Sequence, residues 1–303
     1  MGKLVEKLVQ HVEAAHPRSL QGVREAMVSG DGSFIEAAER QLSWLETAFG
    51  SDAIPRAVAA FVRFSIDVNL HQARYERRGH YESKTYAEVY AHQYSDSAVM
   101  NDYLLGVYLT NVLWSHHMDI TALFLRRFVA LLPKDAALVE FAFGHGGWGI
   151  QALAAHPSAR LRGFDISPAA RGLAESFARA AGVAERATYR EADALDPACL
   201  PEHSVDAAIC CFLVEHLEQP DRLAASVARA LKPGGRAFLT GALTAAQCDH
   251  IFEYNNESEL VTWAERAKLR VIETLSVNPQ RVLPHARFVP RSMALIVESS
   301  TGP

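Results

Sequence analysis

The stretch Val139-Glu140-Phe141-Ala142-Phe143-Gly144-His145-Gly146-Gly147-Trp148-Gly149 leaves this chain few options. An apolar run is broken by a glycine-rich turn, and one strand later comes Gly163-Phe164-Asp165-Ile166-Ser167. A strand that enters a glycine turn and re-emerges as a helix brings backbone against a flat ligand, and an acid ending the next strand can hold ribose hydroxyls. The pattern predicts the nucleoside-binding edge of an α/β sheet. Gly144, Gly146 and Gly149 also spell GxGxxG, the dinucleotide spacing. A dinucleotide unit usually opens its domain, whereas well over a hundred residues of mostly helical sequence precede this one.

Downstream motifs decide between the two. A second acidic strand end follows at Tyr189-Arg190-Glu191-Ala192-Asp193-Ala194, then an apolar strand from Val205 to Phe212, then Leu231-Lys232-Pro233-Gly234-Gly235 before Arg236-Ala237-Phe238-Leu239. As an ordered set these resemble the class I S-adenosylmethionine (SAM)-dependent methyltransferases over roughly the C-terminal half of the chain. The resemblance implies that Glu140 lies near the methionine ammonium and that Gly144 and Gly146 let the main chain approach methionine and ribose. It also implies that Asp165 accepts hydrogen bonds from the ribose hydroxyls, that Ile166 covers an adenine face, and that Asp193 and Ala194 meet the adenine edge. Phe212, ending the fourth strand, joins this cofactor set. SAM carries no phosphate, so the turn need not cradle an anion, which suits His145 and bulky Trp148. Ala142 departs from the family in a place often held by glycine.

At 303 residues, 49% hydrophobic and 21% charged, the composition is that of an ordinary globular protein. A formal net charge of -5 gives no broad footprint for nucleic acid. Cys199, Cys210, Cys211 and Cys248 show no CxxC spacing and read as reduced thiols. No apolar run is long enough to span a bilayer, and Met1-Gly2-Lys3-Leu4-Val5-Glu6 lacks a signal-peptide core, so a cytoplasmic location is expected, with no membrane partner.

The expected organisation is a helical N-terminal lid domain, residues 1–133, and a SAM-binding domain, residues 134–303. The first reads as helices over Leu4–Ala15 and Leu20–Val28, a break at Ser29-Gly30-Asp31-Gly32, and a helix opened by a Ser33/Glu36 capping box. A helix from Pro55 to about Gln72 and a long helical pattern from Ala98 through Leu132 follow. After Pro133 strands and helices alternate, predicting a Rossmann-like, mostly parallel sheet. The last strand, Phe288 to Glu298, is expected to return antiparallel from the sixth, Leu269 to Asn278.

In an open parallel sheet the ligand sits at the carboxyl ends of the strands, so three segments are candidates to cover the reactive end of SAM. The tyrosine-rich segment from Tyr75 to Tyr94 offers Tyr81, Tyr86 and Tyr90 to a sulfonium or a substrate, with interface packing as the competing reading. Glu215-His216 after the fourth strand supplies His216 as a proton acceptor, though Glu-His-Leu there is also a commonplace helix entry. The loop Ala246–Asn256, after the fifth strand, supplies Asn255. Asp249-His250 lacks a third ligand in sequence, and His116-His117 are adjacent on a helix, so no metal is expected.

These readings lead to a SAM-using enzyme of small-molecule, specialised metabolism that transfers a methyl group, with a homodimer left open. Cyclisation of SAM itself to azetidine-2-carboxylate, as in the methyltransferase-like azetidine-2-carboxylate synthases, is the alternative. In that reading Tyr81, Tyr86, Tyr90 and Asn255 enclose the aminocarboxypropyl arm. A silent SAM-binding partner subunit is the third.

Overall fold

The computed structural model describes residues 2–29, 32–94, 96–196, 199–279, 282 and 285–300. Four helices open the chain: α1 (Lys3–Ala15), α2 (Pro17–Ser29), α3 (Gly32–Phe49) and α4 (Ala53–Arg78). In α1, Val5, Leu8 and Val12 fall on one helical face and are buried. Its free amides at Leu4 and Val5 donate to Glu39 at 2.8 and 3.0 Å, a cap supplied by α3. Helix α4 stops at Gly79, whose φ of +79° makes a left-handed cap with its N–H on the Tyr75 carbonyl. Residues 30 and 31 and the Ser33 side chain lie outside what is described, and with them the expected break and capping box. A capping box does occur at Thr85/Glu88, opening the short helix α5 (Tyr86–Val89).

The long helix expected from Ala98 through Leu132 is interrupted. Asp96 caps α6 (Ser97–Leu113) through the amides of Ala98 and Val99, and Trp114 then turns extended at φ −102°, ψ 119°. Helix α7 (Ser115–Leu123) starts at once and runs into a π-helical turn over Phe124–Phe128. The break is stabilised by the Trp114 ring, which lies between Phe61 and Phe64 of α4 and stacks on His116 at 5.2 Å. Periodicity could not show it, because the apolar spacing continues across the break.

The sheet strands are β1 (Ala137–Phe141), β2 (Arg160–Asp165), β3 (Ala187–Glu191), β4 (Val205–Cys210), β5 (Leu231–Leu243), β6 (Leu269–Val277) and β7 (Arg291–Ser299). Between them come α8 (Gly147–Ala155), α9 (Pro168–Ala180), α10 (Pro220–Ala230) and α11 (Glu257–Arg266). The strand order is β3-β2-β1-β4-β5-β7-β6, with β7 antiparallel to both neighbours and the other pairings parallel, as expected. The order reverses between β1 and β4, so a crevice opens at their carboxyl ends.

Residue 133 falls where the last helical turn gives way to β1, yet one buried cluster crosses it. That cluster runs from Val5, Leu42 and Phe61 through Tyr108 and Phe124 to Trp148, Phe177 and Phe238. No helix among the described residues is long and apolar enough to cross a membrane.

Candidate active site

Above the β1/β4 crevice lies a cavity of about 780 Å³, walled below by strand ends and roofed by α2, α4, α6 and α7. Gln72 fixes α4 over it: its amide donates to the carbonyls of Thr244 and Phe288 and accepts the Ala246 N–H at 2.8 Å.

On the floor, Glu140 of β1 is 2% exposed, and Oε2 has no hydrogen-bond partner. Burial pushes its carboxyl up to about 8, the nearby Gly149 N–H only tempering the effect. Glu140 lines the cavity with Oε2 lying against Gly149 of the turn, and a buried carboxylate left without a full set of partners calls for a cationic one. Asp165, ending β2, accepts the Gly144 N–H on one oxygen (2.8 Å) and the Ser167 N–H on the other (2.9 Å), and each oxygen keeps a lone pair. Burial raises it to about 6. Ile166 beside it is an apolar side chain left 41% exposed at the cavity edge.

Gly144 in the turn lines the cavity at φ +51°. Gly146 serves packing instead: a Cβ there would come 2.9 Å from that of Ala174 in α9. His145 accepts the Gly147 N–H at 2.9 Å and stands edge-on to Tyr108, so it holds the first turn of α8. Ala142 and Phe212, just beyond β1 and β4, are non-glycine residues in the left-handed region at φ +49° and +52°. Phe212 lines the cavity and stacks on His117 at 4.8 Å.

Asp193 and Ala194 are not among the lining residues: Asp193 accepts the Leu195 N–H at 2.8 Å and lies within electrostatic reach of cavity-lining Tyr86, and Ala194 packs with Leu200 in the core. Of the tyrosines, Tyr86 lines the cavity, and burial with the charges of Tyr90, Asp193 and Asp165 raises its phenol pKa. Tyr90 lies tilted against Tyr86 at 5.8 Å and is half exposed. Tyr81 is wholly buried against Tyr75, in a cluster with Ala246 and Phe288, which is the packing reading. Asn255 is exposed, its carbonyl accepting from Arg291 at 2.8 Å. Tyr81, Tyr90 and Asn255 therefore stand outside the lining.

His216 does reach it, in company that sequence reasoning judged absent. Glu215 is fully buried, both carboxylate oxygens lack hydrogen-bond partners, and burial raises it to about 7. His250, from the loop after β5, stands edge-on to His216 with ring centres 4.8 Å apart, and burial lowers it to about 3. Tyr94 reaches the same group, its hydroxyl 3.3 Å from Asp249 Oδ2. Tyr103, Val107, Thr110 and Asn111 share a face of α6 and line the cavity with Trp114 just beyond the helix, Tyr103 lying beside Asp249. Buried Thr110 and Asn111 within an apolar helix were the signal for this wall.

Residues 139–239 match the family described as Methyltransferase domain. An uncharacterised protein of Synechococcus sp. is 36% identical over 80 residues, 26% of this chain and 19% of the relative. A ubiquinone biosynthesis O-methyltransferase of Cupriavidus pinatubonensis is 31% identical over 97 residues, 32% of this chain and 38% of the relative. The chain thus spans well under half the length of these curated relatives. An O-methyltransferase family protein from Burkholderia thailandensis superposes with a TM-score of 0.56 at 17% identity, over 84% of this chain and 74% of that one, a likeness of fold. Residues 139–239 thus carry a methyltransferase domain, and the fold around it is like that of known methyltransferases.

Proposed function

We propose that the protein is an enzyme that binds SAM and methylates a small-molecule nucleophile of specialised metabolism. The observation that carries this is the unpartnered Oε2 of buried Glu140, a cation acceptor across the turn from Asp165. Glu140 would hold the methionine ammonium, Asp165 the ribose hydroxyls, Gly144 the adjoining main chain, and Ile166 an adenine face. Bound there, SAM supplies a methyl carbon made electrophilic by its sulfonium. The chain's own contribution is to orient the two reactants and exclude water.

A cavity of about 780 Å³ is ample for one nucleoside ligand and a second small molecule. Its helical roof favours a compact acceptor over a polymer. The relative from Cupriavidus pinatubonensis is named an O-methyltransferase, and we take an oxygen acceptor for this chain by that likeness. Cyclisation of SAM needs a pocket without acceptor space. Three of the four side chains assigned to it, Tyr81, Tyr90 and Asn255, lie outside the lining, so methyl transfer leads.

Purified protein incubated with SAM alone, and with SAM plus phenolic, hydroxy-acid and amine acceptors, should form S-adenosylhomocysteine only when an acceptor is present, as read by mass spectrometry. Enzyme-dependent methylthioadenosine from SAM alone would replace this reading with cyclisation. Tight binding without any turnover would replace it with a silent subunit.

A further inference from the structure

We infer that Glu215, His216 and His250 form a binding site for a divalent transition-metal cation in the wall of the cavity. The loop after β4 carries the first two and the loop after β5 the third. The loops are joined by the amides of Ile251 and Phe252, which donate to the Glu215 carbonyl at 2.8 and 3.0 Å. One donor atom from each of the three side chains lies within 4.8 Å of the others, and all three residues line the cavity.

The hydrogen bonds around the cluster prepare both rings as ligands. His250 Nδ1 lies 2.6 Å from the Ala245 carbonyl and His216 Nδ1 lies 3.0 Å from the Asp249 carbonyl. A carbonyl only accepts, so each Nδ1 carries the proton and each Nε2 keeps its lone pair. Tethering the far nitrogen to a backbone carbonyl is how metal-bound imidazoles are oriented. Glu215 supplies the independent sign of a missing ligand: it is fully buried, aimed into the cluster, and neither oxygen has a partner. Asp249, also fully buried, has Oδ1 unpartnered behind the rings. Buried carboxylate oxygens that no protein donor satisfies are suited to a cation held among them.

Two imidazoles and one carboxylate select a borderline cation such as Zn²⁺, Fe²⁺, Mn²⁺ or Co²⁺ over Mg²⁺ or Ca²⁺. Bonds of about 2.1 Å require the outermost donors to close by roughly 1–1.5 Å, a side-chain rotation. Three protein ligands leave at least one position open toward the cavity. Where the methyl-transfer reading holds, that position takes an oxygen of the acceptor, so the acceptor class narrows to hydroxyl or carboxylate compounds able to ligate a metal.

Untagged, chelator-treated full-length protein is titrated with Zn²⁺ by calorimetry and with Co²⁺ by visible absorption. One cation per chain is expected, with a Co²⁺ ligand-field spectrum, and at least tenfold weaker binding in Glu215→Gln and in His250→Ala. Glu215→Gln is nearly isosteric, and far-UV circular dichroism of both variants shows whether they fold. No cation bound by the wild type, or equal binding by folded variants, overturns the site. S-adenosylhomocysteine binding to the metal-free wild type is measured alongside. Its loss would count against the SAM reading, and failure of the Zn²⁺ and Co²⁺ arms alone would count against the metal.

Discussion

Glu140 concentrates the energetics of the site in one carboxyl. Its ordinary value of 4.5 rises to about 8 because burial penalises the charged form. An acid whose folded pKa is raised binds more protons folded than unfolded. Its stabilising contribution is complete below about 4.5 and is lost as pH rises through about 8. The ligand-free protein should lose stability across that window, and a ligand ammonium, by favouring the carboxylate, should return it. At pH 7 the side chain is mostly protonated without ligand, so binding of S-adenosylhomocysteine should release a proton. Calorimetry in buffers of different ionisation enthalpy should show this for the wild type and not for Glu140→Gln, which should bind at least tenfold more weakly. A wild-type enthalpy independent of buffer would remove Glu140 from the ammonium site. That Glu140, Gly144, Asp165 and Ile166 line one cavity was legible because each sits at or beside a strand end whose position the local pattern fixes. Asp193 and Ala194 were placed by the same logic; Asp193 stops short of the lining but stays within electrostatic reach of Tyr86, and Ala194 packs into the core. The tyrosines were illegible because a phenol suits an interface and a pocket equally well. Tyr81, Tyr86 and Tyr90, all within ten residues, end in three environments.

Among elements, the first turn of α8 shows what an unusual residue in the motif does. Trp148 lies edge-on to Phe124 at 5.0 Å and tilted against Phe238 at 5.9 Å. It ties the glycine turn to the π-helical segment after α7 and to β5, and its bulk belongs to the core. Trp148→Ala should cost about 3–5 kcal/mol, a loss typical of a large aromatic removed from a packed interior. Chemical denaturation would measure it, and a cost under about 1 kcal/mol would mean that the ring is dispensable packing. The strands were readable from alternation and their bounding turns, and β7 was expected antiparallel. The break at Trp114 was not, since apolar spacing is preserved through it and the cause is contact with Phe61 and Phe64, some fifty residues away in sequence. The cluster of Glu215, His216 and His250 escaped for the same kind of reason. The two loops are 33 residues apart at Glu215 and Cys248, and only the fold of one against the other supplies the third ligand.

At the scale of the whole molecule, the helical half and the sheet are joined through shared core. Tyr108 stacks on Phe177 at 4.4 Å, Phe49 meets the same ring at 5.4 Å, and Phe124 meets Phe238 at 5.0 Å. The roof of the cavity is thus also the cover of one sheet face, so exposing the sheet would expose the helices' own apolar stripe. Unfolding should be cooperative across residue 133. The tryptophans provide the test, Trp44 and Trp114 lying in the helical half and Trp148 and Trp263 in the sheet half. In a Trp148→Phe/Trp263→Phe chain, emission reports the helices alone; in a Trp44→Phe/Trp114→Phe chain it reports the sheet alone. In both, the urea transition seen by emission should coincide with that seen by far-UV circular dichroism. An emission transition in the first chain that clearly precedes the dichroism transition would mean that the helices detach before the sheet melts. The roof would then be a separable lid, able to open for substrate entry at a free-energy cost below that of global unfolding.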